Sequence, residues 1–197
     1  MGTTTIIFLA ILVALAVFAT VLYNRLVTLR NAIGNAFAQI DVQLKRRYDL
    51  IPNLLETVRK YLQHERETLE AVTAARSAAQ TAAGVARQNP ASAGAVSALG
   101  TAEGLLGGVL GRLMAVTEAY PELKADQTMR ELSEELTSTE NRVGFARQSY
   151  NDTVLDYNNA AGQFPANLVA RLFGFEPAAM LQATQSVAER QAPRVQF

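Results

Sequence analysis

The chain has 197 residues, with 18 basic and 18 acidic side chains and no net charge, so nothing in its electrostatics selects a polyanion such as nucleic acid as a partner. This length suits one membrane segment and one domain large enough to bury a core. With no cysteine, disulfides, thiolate metal sites and thiol nucleophiles are excluded.

From Gly2 to Asn24 there is no charged side chain, and residues 6–22 form an apolar run interrupted only by Thr20. At about 1.5 Å per residue this run reaches about 26 Å, and its uncharged flanks extend it to the thickness of a hydrocarbon core. A cleavable signal peptide is the competing reading, because Ala14-Leu15-Ala16 imitates a small-x-small cleavage pattern. No basic region precedes the run, however, and Val17 to Leu22 carry it past the supposed cut, so an anchor is expected. Arg25 and Arg30 follow it closely, with Lys45, Arg46 and Arg47 further on, and no Lys or Arg comes before. The positive-inside rule then predicts a single-pass protein of the inner membrane with its N-terminus outside and residues from 25 onward in the cytoplasm.

Beyond the membrane, Leu26, Leu29, Ile33, Ala36, Phe37, Ile40 and Leu44 recur at helical spacing. No breaker lies between Leu22 and Leu44, which predicts one continuous helix from membrane to cytoplasm. Pro52 predicts a kink or a break, with a second helix carried by Leu54, Leu55, Val58, Tyr61, Leu62, Leu69 and Val72 towards residue 80. From Ser77 to Gly111 the chain is rich in small residues, with Asn89-Pro90 as a turn and a further helix up to Tyr120-Pro121. There Gly100, Gly104 and Gly108 fall four apart, and Gly107 and Gly111 repeat the spacing. In lipid such a pattern allows close helix approach, whereas Glu103 and Arg112 favour a water-exposed or loosely packed helix.

Asp126 predicts the cap of the last long helix. Its seam runs through Met129, Leu132, Leu136, Thr139, Val143, Ala146, Tyr150, Thr153, Tyr157, Ala160 and Phe164, a repeat of 3.5 residues that predicts coiled-coil-like packing until Pro165. Glu140 and Arg147 flank the seam one heptad apart. Tyr150-Asn151 and Tyr157-Asn158 form a second heptad-spaced pair. These residues, with Arg46 and Arg47, are the candidate packing or interaction positions, since Lys45-Arg46-Arg47 stands too far along the helix to meet headgroups. Residues 176–197 carry no convincing pattern and read as a tail.

Chemistry is hard to locate. His64-Glu65 opens like a zinc-protease helix, but Thr68 stands where the second histidine is needed. There is no nucleophile elbow, phosphate-cradling loop or dinucleotide fingerprint. Glu131, Glu134, Glu135 and Glu140 cluster without the Glu-x-x-His pairs of a bundle metal site, and are expected to face solvent.

The fold class predicted is all-α: a transmembrane anchor (1–24) continuing into an elongated antiparallel bundle of about four helices (25–175), then the tail. Several ordered segments point to a specific family. They are Tyr23-Asn24-Arg25-Leu26-Val27, the run Ala38-Gln39-Ile40-Asp41-Val42-Gln43-Leu44-Lys45-Arg46-Arg47 through Asp49-Leu50-Ile51-Pro52-Asn53-Leu54, His64-Glu65, Ala119-Tyr120-Pro121-Glu122-Leu123-Lys124, Glu140-Asn141-Arg142, Phe145-Ala146-Arg147-Gln148, Tyr150-Asn151 and Phe173-Gly174-Phe175. Over about residues 23–176 the chain resembles the LemA family, departing from it at Phe37, where many members carry Trp, and in the glycine-rich stretch 100–111. The resemblance implies a bacterial, N-terminally anchored helical bundle and supplies no active site or cofactor. It also implies a link to membrane proteases or envelope stress. The expected roles are a self-associating scaffold in the lipid bilayer or an adaptor for a membrane protease or other envelope protein. A transport role would require residues 100–111 to enter the membrane.

Overall fold

The computed structural model describes residues 2–62 and 64–181. Its first helix, α1 (Thr3–Arg59), contains both the apolar run and the first face of the bundle. The large apolar side chains from Ile6 to Val21 stand exposed, whereas Leu26, Ile33, Phe37, Ile40, Leu44 and Ile51 are buried. The sequence explains the change: apolar residues surround the helix up to Leu22, then contract to one stripe.

Of the kink or break expected at Pro52, the break does not occur: α1 runs through the proline. A proline removes one helical donor and leaves the carbonyl four residues earlier without a partner. That carbonyl belongs to Tyr48, and the Arg76 guanidinium of the neighbouring helix donates to it at 2.6 Å. The chain turns instead after Arg59. Consequently α2 spans Arg66–Gln88, starting later than the apolar pattern from Leu54 suggests. Asn89-Pro90 does make the next turn, and α3 (Ala93–Thr117) begins with the Ser92 side chain accepting from the Ala95 amide.

A short helix, α4 (Pro121–Ala125), starts on its proline and leads into α5 (Gln127–Gly162). Asp126 caps α5 as its sequence predicts, accepting from the Met129 amide at 3.0 Å. Along α5 the seam residues Met129, Leu136, Thr139, Val143, Tyr150 and Tyr157 are buried, joined by Val154. Phe164 is a correction: α5 stops at Gly162, and Phe164 lies beyond it and exposed. The last helix is α6 (Ala166–Phe173), closed by Gly174 in the left-handed region (φ 70°), where a side chain would strain the backbone.

Contacts along the chain define the directions. Asp41 meets Arg87 and Tyr48 meets Arg76, so α2 runs antiparallel to α1. Arg46 meets Glu135 and Phe37 meets Tyr150 edge to face at 6.0 Å between centroids, so α5 is antiparallel to α1 as well. The four long helices enclose one continuous apolar core within a single chain. Leu69, Val72, Ala79, Ala83 and Ala86 supply the α2 side of it, the alanines small enough to let α3 approach closely.

Candidate interaction site

Two polar features interrupt this core. The first arises because α1 carries three successive cations and a helix turns about 100° per residue. Arg46 therefore reaches outward to Glu135, while Arg47 falls on the buried face beside Leu44, Tyr48 and Ile51 and is only 3% exposed. Taking a guanidinium out of water costs several kcal/mol unless carboxylates meet it. Glu103 of α3 does so at 2.9 Å from Nη1, and Glu140 of α5 lies 3.2 Å from Nη2. The Tyr48 hydroxyl donates to the other oxygen of Glu103. Burial raises the Glu103 carboxyl above the ordinary range, against the opposing pull of Tyr48 and Arg47. Burial, followed by the charge on Glu103, raises the Tyr48 phenol as well.

Two glycines of α3 lie close to this cluster and to the end of the described chain. A Cβ on Gly107 would stand 3.8 Å from Arg47 Nη2, and one on Gly100 would stand 3.5 Å from the Leu181 side chain. The space left between α1, α3 and α5 is a cavity of about 200 Å³, lined by Arg47, Glu103, Gly104, Glu140, Arg147 and Leu181. Arg47 Nε has no hydrogen-bond partner among the described residues, and Nη2 has only its ion pair with Glu140. At the distances found for Gly100 and Gly107 a methyl group would make ordinary contact, and at Gly108 and Gly111 it would meet open space, so the repeat is not required by close approach to the cation. Leu106, Leu110 and Leu113 of the same helix are buried in the bundle core.

The second feature is a ladder on α5. Asn158 donates to the carbonyl of Ala178 and accepts from its amide, both at 2.9 Å. One heptad earlier, Asn151 treats Leu181 the same way, at 3.1 and 2.8 Å. Tyr157 donates to the Glu176 carbonyl at 2.8 Å. The Tyr150 hydroxyl lies 2.7 Å from the carbonyl of Pro90 and 2.9 Å from that of Ala179, and one proton must serve both. Each asparagine amide pairs with a residue's main chain as a neighbouring strand would. The spacing explains the fit: seven helical residues rise about 10.5 Å, close to the ~9.3 Å covered by three residues of extended chain. Side chains spaced by a heptad therefore meet every third residue of a strap running back up the bundle. Residues 176–181, expected to belong to a patternless tail, are held this way, and the remainder of that segment lies outside the described residues.

The profile of the LemA family matches residues 36–197. The chain belongs to the LemA family. It is 28% identical over 192 residues to Magnetosome protein MamQ 2 of Paramagnetospirillum magneticum (strain ATCC 700264 / AMB-1), covering 88% of this chain and 70% of that one. Magnetosome protein MamQ of Magnetospirillum gryphiswaldense (strain DSM 6361 / JCM 21280 / NBRC 15271 / MSR-1) is 35% identical over 83 residues, 42% of this chain and 30% of that one. Protein LemA of Metamycoplasma hominis (strain ATCC 23114 / DSM 25592 / NBRC 14850 / NCTC 10111 / PG21) is 25% identical over 162 residues, 82% of this chain and 69% of that one. LemA and MamQ are not enzyme names, and the exposed apolar segment of α1 together with these relatives supports membrane association.

Within this LemA-family bundle, the candidates chosen from sequence divide into three groups. Arg47, Glu140 and Arg147 line one cavity. Tyr150, Asn151, Tyr157 and Asn158 form the ladder. Arg46 makes a surface pair with Glu135, so that glutamate does not face solvent alone. His64 is exposed in the turn between α1 and α2. Sequence reasoning missed Glu103 and Tyr48 as partners of Arg47. The available signal was Glu103 itself, the single charged residue between Arg87 and Arg112.

Proposed function

We propose that this chain is a membrane-anchored scaffold or assembly protein of the bacterial cell envelope, working through self-association of its helices and without a catalytic centre of its own. The observation that carries this reading is the continuity of α1, whose exposed apolar segment and core-forming segment are one helix. Such a helix fixes a bundle to a bilayer without a flexible joint. In this reading the chain crosses the inner membrane once, with the N-terminus outside and the bundle in the cytoplasm, as Arg25 and Arg30 favour by the positive-inside rule.

The test is the mass of the full-length protein in lipid nanodiscs, beside a fragment starting at Asn24. A defined oligomer in lipid supports the scaffold, and its persistence in the fragment assigns the contacts to the bundle. A monomer in both overturns self-association and turns the search to an adaptor role, with a membrane protease or another envelope protein captured from native membranes.

A further inference from the structure

We infer that α6 is a second, interfacial membrane contact: a foot whose apolar face enters the bilayer beside the point where α1 leaves it. The inference rests on α1 being the anchor. It begins with an imbalance in exposed apolar residues. On the bundle, exposed large apolar side chains such as Val42, Val85, Leu105 and Leu155 are scattered along different helices. Around α6 they are concentrated, with Phe164, Leu168, Leu172 and Phe173 all exposed within ten residues, Leu172 at 79%. Single apolar residues on a water-facing surface are ordinary, whereas a grouped set marks a surface that something covers.

The fold indicates what covers it. The opposite side of α6 is buried: Val169 and Ala170 pack with Leu26, and Ala19 and Leu22 pack against that group. Ala19 and Leu22 belong to the last turn of the apolar run, so α6 lies level with the end of the proposed membrane span. Tyr23 sits at the same height, with its ring 5.0 Å from Phe173 and 5.5 Å from Phe175 between centroids, and tyrosine favours the boundary between lipid and water. Arg25, Arg30 and Arg171 are exposed nearby in sequence and structure, cations suited to anionic headgroups. A short helix with one face buried on protein, the other apolar and basic residues at its margin has the character of an interfacial segment. It also occupies the turnaround of the chain, where α5 has come down the bundle and the strap to Leu181 starts back up.

The absence of native cysteine allows a direct test on the full-length protein. Single variants I11C, F145C, L168C and L172C are labelled with an environment-sensitive fluorophore and reconstituted into vesicles of phosphatidylethanolamine and phosphatidylglycerol. Leu172 is so exposed that replacing it leaves the packing intact, and helicity measured by circular dichroism checks each variant. The expected result is that labels at 168 and 172 are quenched by lipid-borne nitroxides and at least three-fold less by aqueous iodide than the label at 145. The label at 11 reports lipid throughout. Labels at 168 and 172 that follow the label at 145 overturn the foot while leaving the anchor intact. Shielding of both labels from iodide and lipid quenchers alike also overturns it, because a second protein copy then covers the face. If the label at 11 meets iodide, the anchor itself fails and the foot with it.

Discussion

Arg76 donates to the main-chain oxygen of Tyr48, the oxygen that Pro52 leaves without a helical donor. A residue of α2 thereby repairs α1 at the position where its own sequence would interrupt it. Arg76→Ala should cost about 1–3 kcal/mol through the orphaned carbonyl. Pro52→Ala should restore an amide donor to that carbonyl. In the Pro52→Ala background the cost of Arg76→Ala should therefore shrink, a coupling read from a double-mutant cycle of thermal unfolding. Equal costs in both backgrounds would separate Arg76 from the proline.

Arg47→Met should be severe. It leaves the Glu103 carboxylate inside the bundle with Tyr48 as its remaining close hydrogen-bond partner, a loss of about 3–5 kcal/mol for a broken buried pair. The double variant Arg47→Met with Glu103→Gln should be less destabilised than the sum of the two single variants. Denaturant midpoints of the four proteins decide it, and simple additivity would mean that the two groups do not share one electrostatic site.

The raised Glu103 carboxyl has a pH signature. Its contribution to stability is full below the ordinary glutamate range, about 4.3, and is lost as pH rises through the higher value it has in the folded bundle. The stability of the natural chain relative to Glu103→Gln should therefore fall with rising pH across that window and level off above it. A difference that instead grew with pH would mean that Arg47 outweighs burial.

The main features of the first helix and of α5 are legible in the sequence because their information is local. The exposed stretch of α1 is a run of one residue class, Asp126 caps the helix that follows it, and Leu136, Val143, Tyr150 and Tyr157 announce their buried face by spacing alone. What stayed illegible depends on contacts distant in sequence. Pro52 looks like a break until Arg76 is brought beside Tyr48. Arg47 reads as a packing or interaction position, but its partner is invisible until Glu103 faces it from α3. The strap has no periodicity of its own, because its hydrogen bonds go to side chains of α5, so Ala178 and Leu181 carried no visible sign of being held.

Asn158→Asp tests that strap. The new carboxylate can still accept from the Ala178 amide but sets an oxygen against its carbonyl, where the asparagine had donated. Hydrogen exchange at the Ala178 amide should accelerate about ten-fold or more, equivalent to about 1.4 kcal/mol. Asn151→Asp should act likewise at Leu181. Unchanged protection in both variants would show that the apolar contacts of Ala178 and Leu181 hold the strap without the ladder.

The unbroken course of α1 gives the molecule a fixed stature. Past Leu22 the helix extends about 55 Å at the ordinary rise per residue before ending at Arg59. The turn that carries His64 stands at that far end, and the other long helices brace the helix along the way. With α1 as the proposed anchor, whatever meets the tip would be held at a set distance from the bilayer, and a tilt of the helix by 10–20° would swing that tip sideways by about 10–20 Å. If α1 is the anchor, bilayer thickness contributes to such tilt, and the far end of the bundle would register it.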